Sequence, residues 1–147
     1  MLKQQFPRAE WSVLDHYDPV AMPEASIRRA RTLFPPTAGT LVARFDQWPL
    51  ADCSGEVVFA LLAIHELRSE PERAKWFAEA CRCLAAGGRV VVAEHVRDLA
   101  NFVAFGPGFL HFHSPAAWQR SWETGGLRLE DSFRVTPFVR VFVLKRL

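Results

Sequence analysis

The sequence predicts an α/β fold, a three-layer sandwich built on a mostly parallel sheet that closes with an antiparallel strand pair. Three observations predict it. Apolar, β-leaning runs alternate with helical patterns from Trp11 to Glu94, and a strand that reaches its neighbour through a helix returns parallel and right-handed. The run Glu56–Ile64 (EVVFALLAI) has almost no polar interruption, as expected for a strand covered on both faces. Two final β-leaning runs, Leu127–Phe133 and Phe138–Leu144, are joined around Pro137, which suits an antiparallel pair.

The elements follow in order. Trp11–Asp15 (WSVLD) reads as a strand that stops in His16-Tyr17-Asp18-Pro19, because proline has no backbone donor for the ladder. Pro23–Leu33 (PEASIRRARTL) opens with proline and an acid and stops at Phe34-Pro35-Pro36, so both end signals agree on a helix. Gly39–Phe45 is the next strand and Glu56–Ile64 the third. In Pro71–Leu84, Ala74, Phe77, Cys81 and Leu84 recur at helical spacing, and Gly87-Gly88 is the expected stop. Arg89–Glu94 (RVVVAE) is strand four. Asn101–His113 (NFVAFGPGFLHFH) reads as an aromatic, glycine-containing loop, and Ser114–Thr124 as a helix.

Composition narrows the class. The 147 residues are half hydrophobic and 23% charged, which predicts one packed domain over 1–147 rather than a disordered tail. The net charge of +2 comes without a basic block, so nucleic acid is not the expected partner. Cys53, Cys81 and Cys83 are an odd number and fit neither a disulfide framework nor paired Cys-x-x-Cys zinc ligands, which points to the cytoplasm. The run Met1–Trp11 lacks the apolar core of a signal peptide, and no later run has the length of a membrane span.

In parallel sheets ligands bind beyond the carboxyl ends of the strands. The groups at those ends are Asp15–Asp18, Asp46–Pro49, His65-Glu66 and Glu94–Asp98. A small-molecule substrate among them is the expectation.

Leu41–His95 resembles the core of class I S-adenosylmethionine-dependent methyltransferases, of the type 11/12 kind. Phe45-Asp46-Gln47-Trp48-Pro49-Leu50 is similar to that family's acidic strand end, and Ser54–Leu67 to its fourth strand ending in His and Leu. Arg82-x-Leu84-x-x-Gly87-Gly88, followed by Val90-Val91-Val92, resembles its Arg-x-Leu-x-x-Gly-Gly motif and fifth strand. Asp15 and the helix carrying Ser26, Ala30 and Arg31 then match its second strand and helix. The resemblance implies a Rossmann-like sandwich with S-adenosylmethionine as cofactor. It implies cofactor-binding roles for Asp15 and Asp18 at the ribose, and for Asp46, Gln47 and Trp48 at the adenine. It places His65, Glu94 and His95 in the catalytic position, and Phe105, Phe109, His111 and His113 over an apolar or aromatic acceptor.

Plainer readings stand beside these. Asp15 and Asp18 can equally shape the turn before Pro19, Trp48 can be core, and each histidine can cap a strand end. The aromatic stretch can seal a subunit contact. His65, His95, His111 and His113 make a metal conceivable, but His111-x-His113 alone is weak evidence, and no metal is expected. The family also places a first strand and a Gly-x-Gly loop ahead of all this, whereas the first glycine here is Gly39. Without that strand, the two strands beside it keep unpaired backbone groups. Those two strands can pair directly, the domain can be truncated with its N-terminal segment missing, or another chain can insert a strand; a homodimer or a partner subunit covering the gap is the expectation. The alternative is an interaction subunit that does not bind the cofactor.

Overall fold

A computed structural model describes residues 2–147. The chain divides into two compact units, Met1–Pro49 and Leu50–Leu147.

The first unit holds α1 (Leu2–Gln5), β1 (Leu14–Asp15), α2 (Ala25–Leu33) and β2 (Leu41–Val42). β1 and β2 are parallel, with Leu14 opposite Leu41 and Asp15 opposite Val42, so α2 makes the crossover expected between them. The ladder is shorter than Trp11–Asp15 and Gly39–Phe45 suggest, because β1 and β2 pair with each other and with no further strand among the described residues. Burial is sparse: Ala43 and Trp48 are the buried hydrophobics of this unit, and α2 adds none.

The second unit holds β3 (Gly55–Leu61), α3 (Glu70–Cys83), β4 (Leu84–His95), α4 (Leu99–Phe105), α5 (Pro115–Thr124), β5 (Leu127–Arg134) and β6 (Val139–Arg146). Its sheet has the order β3-β4-β6-β5. β3 and β4 are parallel, whereas β6 runs antiparallel to both β4 and β5. The sheet is thus mixed, with the antiparallel ending in the expected place. β1 and β3 lie in separate sheets, so the strand order breaks where the sequence reading lacks a first strand.

The register aligns Val58, Val90 and Leu144, and beside them Ala60, Val92 and Phe142. Side chains alternate across a strand, so these six share one face, which α3 and α5 cover. The Trp122 ring lies 5.1 Å from that of Phe142, and Phe77 meets Trp118 and Trp122 edge-on. A capping box starts α3: the Ser69 hydroxyl accepts from the Glu72 amide while the Glu72 carboxylate accepts from the Ser69 amide.

Three expectations need correction. β3 is not covered on both faces, since Val57 and Leu61 are about half exposed (47% each); among the described residues it is an edge strand that pairs with β4 alone. Gly87-Gly88 does not end the helix. α3 stops at Cys83 and the chain passes directly into β4, where Leu84 pairs with Gly55 across a bulge. Gly88 is needed there because a Cβ would come within 2.8 Å of the Glu56 carbonyl. Finally, Asn101–His113 is not a loop but α4 followed by a 3-10 helix, Gly106–His111. Asp98 starts α4 by accepting the Asn101 amide at 3.0 Å. No helix among the described residues is long and apolar enough to cross a membrane.

Candidate functional site

At the carboxyl ends of β3 and β4 a buried carboxylate organises the second unit. Leu62 turns the chain out of β3 with φ +53, its amide bound to the Ala93 carbonyl at 2.8 Å. The 3-10 turn Ile64–Glu66 then presents His65. Glu94, on the face of β4 that α3 and α5 cover, has no exposed surface. Its Oε1 accepts the Ala63 and Ile64 amides, each at 2.9 Å, and its Oε2 lies 2.7 Å from His65 Nδ1. Burial pulls the His65 pKa down, but the hydrogen bond and charge of Glu94, with the charge of Glu66, outweigh it and raise the pKa above the ordinary histidine value.

The other edge of the imidazole is equally crowded. His65 Nε2 faces Glu66 Oε1 at 3.3 Å, and His111 Nε2 approaches the same oxygen at 3.6 Å. Arg68 donates to Glu66 Oε2 at 2.7 Å and lies 2.9 Å from His111 Nδ1. His113 stands behind this group, its Nε2 3.2 Å from both Arg73 and the His65 carbonyl. Burial and the Arg73 charge push its pKa down to about 4, which leaves it neutral at pH 7.

Glu94 and His95 emerge on opposite faces of β4, by the alternation of the strand. His95 therefore joins a different set of neighbours. Its Nδ1 reaches the Phe138 carbonyl at 3.0 Å, and its ring stacks on Phe112 with centroids 4.9 Å apart. Phe105 meets both of those rings edge-on, and Phe102 pairs with Phe109 at 5.1 Å. Phe105 and Phe109 lie in the segment the sequence reading assigns to an aromatic acceptor.

In the first unit, both oxygens of Asp15 are engaged by Arg31, at 3.0 and 2.6 Å, and Oδ1 also accepts the Tyr17 amide at 3.1 Å. Burial raises the Asp15 pKa, but the bonds to Arg31 and Tyr17 prevail and hold it below the usual carboxylate value. The Arg31 guanidinium lies 4.1 Å over the Tyr17 ring. Beside the pair is a cavity of about 300 Å³ lined in part by Val13, Phe34, Thr37 and Thr40. Asp18 closes its own turn by accepting the Val20 and Ala21 amides at 2.8 and 3.3 Å. Asp46 pairs with Arg44 at 2.9 and 3.1 Å, and the exposed Gln47 donates its amide to the Arg44 carbonyl. Trp48 is 5% exposed and packs on His16, with ring centroids 5.7 Å apart.

A family model described as a methyltransferase domain matches residues 15–92. The chain belongs to the methyltransferase domain family. No curated protein matches it. Among solved structures, a type 11 methyltransferase from Sulfolobus solfataricus superposes with a TM-score of 0.65 at 16% identity, covering 99% of this chain and 76% of that one. The mitomycin 7-O-methyltransferase MmcR gives 0.71 at 17% identity, with 99% and 44% covered. LepI in complex with SAM gives 0.66 at 16% identity, with 99% and 39% covered. At such identities the likeness establishes the fold, and the chain spans less than half of the last two proteins.

The described residues of this methyltransferase domain do not by themselves fit an S-adenosylmethionine cradle. Arg31 takes both Asp15 oxygens that a ribose would use, and no glycine precedes Gly39 to let the ligand approach bare backbone. Among the predicted catalytic residues, His65 and Glu94 come together, while His95 sits apart in the aromatic cluster. Glu66 stands with His65 at the strand end where the sequence places it, whereas Arg68, Arg73 and Asn101 escaped the sequence reading as site residues. Asn101 had a local signal, since Asp98-x-x-Asn101 ahead of an apolar run marks a helix start. Arg73 and Arg68 had none, because the histidines they meet lie 40 and 43 residues away.

Proposed function

We propose that this methyltransferase domain, one domain over 1–147, serves methyl transfer from S-adenosylmethionine to a small apolar or aromatic acceptor in the cytoplasm. A partner subunit or a further N-terminal segment furnishes the glycine loop, and a second copy of the chain or that partner covers the open strand edge. The observation that carries the reading is the dyad of buried Glu94 and His65 at the strand ends. With Nδ1–H donated to Glu94, His65 keeps Nε2 for a proton that the acceptor must lose. Phe105 and Phe109, with His111 and His113, hold the acceptor, and His95 supports that aromatic wall. Positioning is the larger part of the task, since methyl transfer is an in-line displacement. The open edge of β3 supports the need for a second polypeptide, because an unpaired edge is a ready strand acceptor.

One observation favours a second reading, an interaction subunit that does not bind the cofactor: both oxygens of the Asp15 carboxylate are already engaged by Arg31. Isothermal titration with S-adenosylmethionine and its demethylated product separates the two, run at concentrations over which sedimentation reports the oligomeric state. Saturable binding that follows assembly is expected. A strictly monomeric chain that binds neither ligand at millimolar concentration overturns the first reading.

A further inference from the structure

We infer that His65, Glu66 and His111 form a site for one divalent transition-metal ion, with zinc as the best fit. One ligand atom from each side chain lies within 4.8 Å of the other two. Glu66 Oε1 stands 3.3 Å from His65 Nε2 and 3.6 Å from His111 Nε2. In tetrahedral zinc, bonds of about 2.1 Å place neighbouring ligand atoms roughly 3.4 Å apart. The three side chains need small adjustments, not a rearrangement.

A second, independent observation points the same way. A metal-binding imidazole uses one nitrogen for the ion and donates the other N–H to a carboxylate, which fixes its tautomer and orientation. Glu94 stands in that relation to His65: it is fully buried, 2.7 Å from Nδ1, and pinned by two backbone amides. Glu66 is oriented likewise, because Arg68 holds Oε2 and leaves Oε1 turned towards the imidazoles. Arg68 also lies against His111 Nδ1. When His111 binds through Nε2 its Nδ1 carries the proton, so Arg68, with a side chain 40% exposed, retreats to Glu66 alone.

Two imidazoles and one carboxylate suit zinc, iron, cobalt or nickel far better than magnesium or calcium, which prefer oxygen. Three protein ligands leave a coordination position for water or for an acceptor oxygen. The inference does not rest on methyl transfer. An ion on Nε2 takes the lone pair that would otherwise accept a proton, so His65 cannot serve both roles at once.

The test is titration of the metal-stripped full chain with Co2+, followed by visible ligand-field absorption, and with Zn2+ by competition against a chromophoric chelator. A Cys53→Ser background removes the exposed thiol. One saturable equivalent is expected, weakened at least about tenfold by His111→Ala and by Glu66→Gln, with melting of the metal-free variants unchanged. Glu130→Gln, an acid of the second unit outside the cluster, should bind like the parent. No saturable equivalent in the parent, or an equivalent that survives the combined His111→Ala and Glu66→Gln change, overturns the assignment.

Discussion

Glu94 binds His65 Nδ1 through one carboxylate oxygen and the Ala63 and Ile64 amides through the other, so a single buried side chain both ends β3 and orients the imidazole at its tip. Strand end and candidate catalytic group are thus one construction. Removing the carboxylate would disturb both.

Glu94→Gln is expected to cost about 2 kcal/mol of stability, because a buried, charge-assisted hydrogen bond is replaced by an imperfect one. Urea unfolding measures it. The same change should lower the His65 pKa, read by proton NMR, since burial then acts without the Glu94 charge. An unchanged His65 titration would show that the pair does not couple.

The raised His65 pKa also sets a pH dependence. Its contribution to stability is fully present below the unfolded value of 6.5 and is lost as pH rises through the higher folded value. His65→Gln should therefore flatten the stability profile on the alkaline side of 6.5.

His113 works in the opposite direction. Its pKa falls from 6.5 to about 4 in the fold, so its contribution is present above 6.5 and is lost as pH falls towards 4, at most ~3 kcal/mol. His113→Asn should remove that acidic loss, as measured by unfolding midpoints between the two values.

Gly125→Ala is expected to be destabilising by about 3 kcal/mol. A Cβ there would meet Phe77 Cβ at 2.4 Å and the Ala78 amide nitrogen at 2.9 Å. The close approach of α5's end to α3 would open, and the melting temperature would drop without loss of the cap at Ser114.

Arg31→Gln should free the Asp15 carboxylate and loosen the short β1–β2 pair. Hydrogen exchange is expected to quicken at the Tyr17 amide, which donates to Asp15 Oδ1, and at the Ala43 amide, which donates to the Asp15 carbonyl. Unchanged protection would show that Arg31 is dispensable to the turn.

Much of this protein was legible in the sequence because its information is local. Proline and capping residues delimit α2, α3 and α5, and β-branched runs mark β3, β4 and β6. The ordered motifs from Asp46 to Val92 carried the family. Local rules failed where neighbours decide: β3 reads as a fully covered strand by composition, yet Val57 and Leu61, on the face opposite Val58 and Ala60, remain about half exposed. Likewise Gly87-Gly88 has the spelling of a helix stop but serves a bulge against Glu56.

The sequence alone determined the order of the strands and of α2, α3 and α5, the family, and that Glu94 and His65 would end adjacent strands. Only the tertiary structure decided that Glu94 turns to His65 while His95 turns to Phe112, that Arg31 claims Asp15, and that Glu66 and His111 meet over 45 positions of chain. Periodicity tells which face of a strand a residue occupies. Which charge or ring waits on that face depends on segments far away in the chain, and no short-range rule encodes it.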